Sequence, residues 1–319
     1  MNNQIKEISD KLEAYLKSND FMGYDPHDAL NSPILKTLTF GNRFLGILFV
    51  QLLKWCPINL RPILLIKIGI NPKGFGLLIS AYVEKYKFSN DHKDLEQAKY
   101  FADWLMSNYS KGFSGKCWGY NFDWPNRNSF FKKGLPTIVN TSFIANGFLD
   151  LYEITKEKKY LDVAESSCEF IINDLNRYNE DDSFCFSYTP VNNGACIHNA
   201  NMLGAALLAR VNHYISNDEY LENAKKGMKF SINHQNEDGS WFYGVGWKQK
   251  WIDSFHTGYN LLALNDYINF TNDRRYIDNL KNGYEFYLNY FFTEEGFVKY
   301  YHNKIYPLDS HVFAHAIIT

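Results

Sequence analysis

Residues 236–244 read NEDGSWFYG and lie between two segments that have the periodicity of α-helices. Asp238 and Gly239 predict a turn, since glycine adopts left-handed backbone angles without a clash and aspartate can accept from a downstream amide. Trp241 and Phe242 follow the turn, and we interpret them first as a wedge between neighbouring helical hairpins. Related aromatic stretches separate the other helical segments: KGFSGKCWGYNFDWPNR (111–127), NEDDSFCFSYTP (179–190) and TEEGFVKYYHN (293–303).

A repeated pair of helices accounts for most of the chain. One member of each pair is amphipathic, with apolar residues at helical spacing: KDLEQAKYFADWL (93–105), KKYLDVAESSCEFI (158–171), DEYLENAKKGMKFSI (218–232) and RRYIDNLKNGYEFYL (274–288). The other member is poorer in charge: GFGLLISAYVEKY (74–86), NTSFIANGFLDLYEI (140–154), NANMLGAALLARVNHYI (199–215), SFHTGYNLLALNDYI (254–268) and SHVFAHAII (310–318). A helix that is apolar on nearly all sides is buried on nearly all sides. The sequence therefore predicts an all-α toroid, with these helices inside and the amphipathic helices outside.

Composition restricts the class of protein. The 319 residues are 45% hydrophobic, which is ample for a continuous core. The net charge is only -2, so there is no overall positive field of the kind that recruits nucleic acid, and no nucleic-acid partner is predicted. The five cysteines form no CxxC pair, and the N-terminal segment lacks the order of a signal peptide. We expect reduced thiols and a cytoplasmic location.

The segment 43–70, RFLGILFVQLLKWCPINLRPILLIKIGI, is strongly apolar but is divided by charged residues and prolines into pieces too short to span a bilayer. Its cations would suit two short helices on an anionic membrane surface, and packing against the toroid is the alternative. Those cations are Arg43, Lys54, Arg61 and Lys67, followed by Lys73. We predict an N-terminal helical extension over 1–70 and a toroid domain over 71–319.

Two resemblances carry further implications. NEDGSWFYG is similar to the QxDGSW signature that recurs in terpenoid cyclases and related α/α toroids. Over most of the chain, the sequence also resembles toroid proteins of bacterial and archaeal exopolysaccharide-biosynthesis clusters. The second resemblance lies in GYDPHDALNSP (23–33), INLRPILLIKIGINPKG (58–74), CWGYNFDW (117–124) and LDSHVFAHAI (308–317). It implies a glycan context and a relation in fold to (α/α)6 carbohydrate-active enzymes.

The motifs that define isoprenoid chemistry in this superfamily are absent. The sequence has neither the DxDD acid of a squalene-hopene type cyclase nor the Asp-x-Cys pair of a zinc prenyltransferase. An isoprenoid-handling enzyme stays as an alternative, because segment 43–70 could contact a polyprenyl carrier.

Histidines near the starts of the inner helices are the first candidates for chemistry. Asn201, His256 and His311 recur at equal spacing, which predicts that they line one end of a shared cavity together with His198. The helix starts also carry residues that are preferred as N-caps, namely Asn140, Asn199, Asp253 and Asp309. Asp253 and Asp309 are in addition candidate catalytic carboxylates. A zinc site formed by His198, His256 and His311 is a weaker alternative without a close ligand pair, so neither a metal nor a cofactor is predicted.

The stretch WGYNFDWPNR (118–127) is the second candidate region. Trp118, Tyr120 and Trp124 could stack on sugar rings, Asp123 could act as a general acid, and Arg127 could hold a carboxylate or phosphate. The alternative for Trp118 and Trp124 is a wedge like that of Trp241. Further lining is expected from Tyr243, Trp247 and Tyr259, with Tyr188 as an additional aromatic.

These residues predict a carbohydrate-active enzyme of extracellular polysaccharide or cell-envelope glycan synthesis, acting on an oligosaccharide or polysaccharide that could be lipid-linked. One chemistry is epimerisation or elimination beside a uronate carboxylate, with His256 or His311 as base and Arg127 on the acid group. The other is glycoside hydrolysis by Asp123 with Asp253 or Asp309. A non-catalytic glycan-binding or scaffold protein of a membrane-associated complex is the alternative from a different class.

Overall fold

The computed structural model describes residues 3–126, 129–191 and 194–319, and its fold is all-α, as predicted. The described helices are α1 (Asn3–Ser18), α2 (Pro33–Leu38), α3 (Arg43–Trp55), α4 (Pro72–Ser89), α5 (His92–Ser107), α6 (Ile138–Thr155), α7 (Lys158–Asp174), α8 (His198–Ile215), α9 (Asp218–Asn233), α10 (Ser254–Thr271), α11 (Ile277–Phe291) and α12 (Ser310–Ile318). Short antiparallel pairs join β1 (Trp124–Pro125) to β2 (Phe130–Phe131), and β3 (Arg177–Glu180) to β4 (Ser183–Phe186).

The chain divides into two compact units. The first contains Met1–Ser110 and Trp118–Leu135, and the second contains Lys111–Cys117 and Pro136–Thr319. This division lies further along the chain than the expected boundary at residue 70. The reason is that α4 and α5 pack against each other, while Glu13 of α1 accepts hydrogen bonds from Tyr82 and Lys85 of α4. Burial would raise the pKa of Glu13, but its bonds with Lys17 and Lys85 outweigh burial and hold that pKa at about 2.

Helices alternate between inner and outer positions in the second unit, as the charge pattern predicts. The inner helices α6, α8, α10 and α12 pack side by side, and the outer helices α7, α9 and α11 each pack on the inner helix before them. Helix α8 is buried on nearly every side, from His198 to Val211. The second unit is therefore a row of helical hairpins whose common core lies along the inner helices.

The NEDGSWFYG stretch makes the tight connection between α9 and the next hairpin. Asp238 accepts from the amide of Ser240, and Gly239 has a φ of +86°. A Cβ atom at Gly239 would lie 2.3 Å from the carbonyl oxygen of Asn282 in α11, so both the turn and the close approach require glycine. Trp241 is buried and donates its indole N–H to the carbonyl of Ser231 at 2.8 Å. The wedge interpretation of Trp241 is confirmed.

Segment 43–70 forms one helix rather than two. Helix α3 begins after Asn42, whose side chain accepts from the amides of Phe44 and Leu45, and it ends at Trp55. Residues 56–70 then form turns, because the prolines at 57 and 62 cannot supply helical amide donors. The prediction of a second helix in this segment was therefore wrong. No helix in the described ranges is long and apolar enough to cross a membrane.

Two of the four predicted N-caps are confirmed. Asp253 caps α10 and Asp309 caps α12, each by accepting from a backbone amide in the first turn. The prediction was wrong for Asn140 and Asn199, because α6 and α8 begin earlier, after Thr137 and Ile197. Asn140 and Asn199 therefore lie inside the first turns of their helices.

Candidate functional site

A buried carboxylate and a histidine form a pair at the start of α10. One carboxylate oxygen of Asp253, Oδ1, accepts from the backbone amide of His256 at 2.9 Å. The other, Oδ2, accepts from His256 Nδ1 at 2.7 Å and from the indole N–H of Trp251 at 3.0 Å. The N-cap residue of α10 thus also orients the imidazole of His256.

Aromatic rings surround this pair. Tyr243 stacks on Trp251 with a centroid distance of 4.5 Å and an interplanar angle of 14°, and its ring lies 4.6 Å from that of His256. The backbone places Tyr243 there, because its carbonyl accepts from the first amide of α8 and its amide donates to the carbonyl of Trp251. The centroid of the Phe255 ring lies 4.0 Å from that of the His256 ring. Since all four rings are half-buried, part of each remains accessible.

A second carboxylate and histidine pair lies at the start of α12. Asp309 Oδ1 accepts from the backbone amide of His311 and from His311 Nδ1, both at 2.9 Å. The ring of Phe255 lies 6.0 Å from that of His311, so one phenylalanine contacts both histidines.

Tyr300 connects the two pairs electrostatically. Its carbonyl accepts from the amide of Ser254 at 2.9 Å, which holds this segment against the start of α10. Burial, Asp253, Tyr301 and Asp309, in that order, raise the pKa of the Tyr300 hydroxyl well above its ordinary value. The two carboxylates therefore lie near one phenol that stays protonated at neutral pH.

This arrangement suits proton transfer. A carboxylate only accepts hydrogen bonds, so Asp253 fixes the hydrogen of His256 on Nδ1 and leaves the lone pair of the neutral ring on Nε2. The same argument applies to His311 and Asp309. A histidine oriented in this way can take a proton from a substrate and return it as the imidazolium. Tyr243, stacked on Trp251, adds flat apolar surface beside the imidazole of His256.

Asn201 and His198, which were also predicted to line the shared cavity, belong to the core. Asn201, His256 and His311 are the fourth, third and second residues of their helices, so the equal spacing in sequence does not give equal positions. Asn201 is buried, donates to Gly227 and Ser231, and accepts from the amide of Phe186. These bonds join α8 to α9 and β4, and a role for Asn201 in substrate binding stays a prediction that its full set of partners does not favour.

His198 is a buried histidine of the core. Its Nδ1 lies 3.2 Å from the hydroxyl of Ser231, and its ring lies 5.3 Å from that of His234. Burial, with smaller contributions from His234 and Lys250, lowers the pKa of His198 to about 3. A histidine that stays neutral across the physiological range cannot act as an acid there.

The remaining predicted aromatics of the second unit differ in exposure. Tyr259 is buried, with its ring 4.0 Å from that of His315 and 6.2 Å from that of His256. Trp247 is exposed, in a short 3-10 helix over Trp247–Gln249. Tyr259 thus packs behind His256, and Trp247 presents its indole to solvent.

The predicted region around Asp123 belongs to the first unit. Asp123 is buried, and its Oδ2 accepts from Lys36 Nζ at 2.7 Å while its Oδ1 accepts from the amide of Lys133 at 2.8 Å. Both oxygens are therefore used in holding α2 and the 118–135 segment together. A role for Asp123 as a general acid stays a prediction, which these contacts do not favour.

Aromatic residues near Asp123 pack with one another. The ring of Tyr120 stacks on Phe122 at 5.1 Å and meets Trp124 edge-on at 5.6 Å. Trp118 is buried and donates its indole N–H to the carbonyl of Leu105 at 3.1 Å. Because Trp241 makes the same kind of bond with Ser231, the wedge interpretation is the better one for Trp118. Arg127 lies outside the described residues.

No metal-binding group of three or more His, Cys, Asp or Glu side chains occurs within the described ranges. The ring contacts of His198 are with Phe230 and His234, those of His256 are with Tyr243, Phe255 and Tyr259, and that of His311 is with Phe255.

Trp251, Phe255 and Tyr300 were not predicted as site residues. Trp251 and Phe255 flank the N-cap Asp253 in WIDSFH (251–256), and a tryptophan two residues before a capping aspartate was the signal that could have drawn attention to them. Tyr300 lies in the connection 293–303, and its place beside α10 depends on a contact that sequence spacing does not encode.

Helical hairpins with alternating inner and outer members define the class of α/α toroid proteins, and the predicted relation in fold to toroid carbohydrate-active enzymes is confirmed by solved structures. The chain is similar to a cellobiose 2-epimerase from Spirochaeta thermophila DSM 6192, with a TM-score of 0.59 and 13% identity, over 73% of this chain and 62% of that chain. It is also similar to a D-mannose isomerase, with a TM-score of 0.56 and 14% identity, over 78% of this chain and 70% of that chain.

A third similar structure is a polysaccharide lyase, with a TM-score of 0.53 and 14% identity, over 74% of this chain and 64% of that chain. No family model and no curated protein matches the sequence. At these identities the likeness shows the fold, and the chain spans less than two thirds of the length of the epimerase and of the lyase.

Proposed function

We propose that the protein is a carbohydrate-active enzyme that moves a proton on a sugar carbon, in an epimerase- or lyase-type reaction. The observation that carries this proposal is the use of Asp253: its carboxylate is buried and accepts from His256 twice and from Trp251. A carboxylate used in this way orients a histidine base, whereas a glycosidase needs carboxylates that reach the glycosidic bond.

His256 Nε2 is the proposed base. It takes the proton from a ring or chain carbon next to a carbonyl or carboxylate, and the electron pair of the broken C–H bond moves into that group as an enolate. In an epimerisation, His311 enters the reaction as the imidazolium and donates its Nε2 proton to the other side of the carbon, so the reaction ends with His311 neutral and His256 protonated. In an elimination, the same electron pair expels the substituent on the next carbon, and His311 or Tyr300 protonates the leaving oxygen.

The substrate is proposed to be an oligosaccharide or polysaccharide of extracellular or cell-envelope glycan synthesis, including a lipid-linked one. Support comes from the resemblance to exopolysaccharide-cluster proteins and from the Tyr243 and Trp251 rings, since aromatic faces pack on the apolar faces of sugars. The five cysteines are free thiols, which supports a reducing compartment. We infer that the enzyme works in the cytoplasm, on the inner face of the membrane.

Deuterium exchange tests this chemistry without knowledge of the final product. The protein is incubated in D2O with uronate-containing and reducing oligosaccharides, and incorporation of carbon-bound deuterium is measured by mass spectrometry and NMR. We expect incorporation with the wild type and at least about a hundredfold less with His256→Gln, because a general base contributes about 10²–10⁴ to the rate.

His213→Gln is the matched control. His213 is an exposed histidine near the other end of inner helix α8, where its ring contacts Tyr214 and Phe270, so this variant should exchange at the wild-type rate. Glycan binding with no deuterium incorporation, unchanged by His256→Gln, would instead assign the protein to the non-catalytic binding class.

A further inference from the structure

Helix α3 in the first unit has two opposite faces. Gly46, Val50 and Leu53 are buried, and Val50 and Leu53 pack with Ala29 and Ile66 in a small core. The opposite face carries apolar side chains at positions 44, 48, 52 and 55, which lie within about 80° of one another on a helix of 3.6 residues per turn. We name these four residues, Phe44, Leu48, Leu52 and Trp55, the apolar face of α3.

This apolar face is exposed rather than packed. Phe44 is 69% exposed and Trp55 is 66% exposed, while Leu48 and Leu52 are also open to solvent. Further large apolar side chains are exposed in the chain segments on either side of the helix, at Phe40 before it and at Ile58, Ile63 and Leu65 after it. An exposed apolar face that continues along a whole helix indicates an interaction site.

The charge of this region selects the partner. Residues 29–83 contain six lysines and arginines and no aspartate or glutamate, in a chain whose net charge is -2. Two of these cations have partners within the first unit, Lys36 with Asp123 and Arg61 with Asp28. Arg43, Lys54 and Lys67 are in no ion pair with any described residue. A surface that combines exposed apolar side chains with unpaired cations is complementary to an anionic lipid surface.

The position of the charges on α3 fits the same partner. Arg43 and Lys54 lie along one edge of the apolar face, about 80–100° from Phe44 around the helix axis. With 13 residues, α3 is about 20 Å long, so it can lie along a membrane surface with its apolar side chains in the lipid and its cations at the headgroups. Trp55 ends the helix beside Lys54, and both residue types favour the interface between lipid and water.

We propose that the apolar face of α3, with Arg43, Lys54 and Lys67, docks the protein onto an anionic lipid bilayer as a peripheral contact. Phe40 and Leu65 support this assignment, since both hold a positive φ, of 48° and 58°, in exposed turns. Apolar residues that carry this local strain on the surface are unusual in a turn that serves only to reverse the chain. The proposal does not rest on the chemistry of His256, so either can fail without the other.

Vesicle co-sedimentation of the whole chain tests the proposal, with phosphatidylcholine vesicles that contain or lack phosphatidylglycerol. We expect binding to the anionic vesicles, weaker binding to the neutral ones, and a decrease as salt screens the cations. Leu48→Glu with Leu52→Glu should lower the partition coefficient at least about a hundredfold, because each leucine is withdrawn from lipid and replaced by an anion. Phe88→Glu, at an exposed apolar position on α4, is the matched control and should bind like the wild type.

A second set of variants separates charge from folding. Arg43→Gln, Lys54→Gln and Lys67→Gln together leave the apolar side chains in place and should remove most of the preference for anionic vesicles, at about fivefold per cation. Brominated lipids should quench part of the tryptophan emission of the wild type and less of that of Trp55→Phe.

No vesicle binding, or binding that the double glutamate variant leaves unchanged, would overturn the proposal. Self-association that this variant abolishes, in a protein that does not bind vesicles, would also overturn it and assign the face to a contact between copies of the chain.

Discussion

The two carboxylate and histidine pairs have the same chemistry in different surroundings. At the start of α10, Asp253 is buried, accepts three donors, and holds a histidine that is 22% exposed. At the start of α12, Asp309 holds a histidine that is 59% exposed. Since a hydrogen bond to a charged group is stronger away from water, the first pair fixes its imidazole more firmly. Both N-cap carboxylates orient a histidine, and burial around Asp253 strengthens the hold of the first pair.

Removing the more firmly held base should affect activity most. His256→Gln should lower kcat for the proposed reaction about a thousandfold with little change in KM, because the general base acts in the transition state. Steady-state kinetics of the variant beside His213→Gln would measure this. A change confined to KM would mean that His256 binds substrate and does not abstract the proton.

His311→Gln should have a smaller and different effect. Net inversion or elimination should fall about a hundredfold, because the second proton transfer loses its group, while deuterium exchange catalysed by His256 should continue. Measuring exchange and product formation in the same reaction separates the two histidines. Equal loss of both signals would show that His311 takes part in the first proton transfer.

Replacing each carboxylate in turn tests whether burial strengthens the hold on its histidine. Asp253→Asn should lower kcat about thirtyfold, because an amide can donate to His256 Nδ1 and thereby favour the tautomer with its hydrogen on Nε2. Asp309→Asn should lower kcat less than about threefold, since an exposed pair contributes little. Both variants keep an oxygen for the helix cap, so similar thermal stability serves as the control. Equal losses of kcat in the two variants would show that burial of Asp253 does not strengthen its effect on His256.

The smallest effect concerns stability rather than activity, and it involves the buried His198. The pKa of His198 is lowered to about 3 by burial, so between its ordinary pKa and about 3 the unfolded chain binds a proton that the folded chain does not. The free energy of unfolding should therefore fall as pH falls, by about 2 kcal/mol from about pH 6 to about pH 4.5.

Denaturant unfolding of His198→Gln beside the wild type at both pH values would measure that contribution. The variant should lose this part of the pH dependence, whatever its absolute stability. An unchanged difference between the two pH values would show that His198 is protonated in the folded protein.

The repeat of helical hairpins was predictable from the sequence because each helix carries its own information. Trp241 follows a turn that requires Gly239, and the inner helices lack the charge that an exposed helix needs. The capping carboxylates Asp253 and Asp309 were predictable for the same reason, since an N-cap is a local preference.

What the sequence could not predict depends on contacts between distant segments. His198 and His256 both lie in the first turn of an inner helix, and only the packing of Ser231 and Phe230 against one of them makes it a core residue. The equal spacing of Asn201, His256 and His311 suggested that they occupy equivalent positions on their helices. They do not, because each helix begins at a different distance before its residue. The neighbours of Asp253, among them Tyr300, come from other parts of the chain.

The indole of Trp251 has a consequence of its own. It shares one carboxylate oxygen with His256 and presents its ring, stacked on Tyr243, to whatever enters beside them. In the proposed reaction, a sugar that packs on this ring would also move the donor that shares Asp253 Oδ2 with His256. Ligand binding and the basicity of His256 would then be coupled through these two hydrogen bonds.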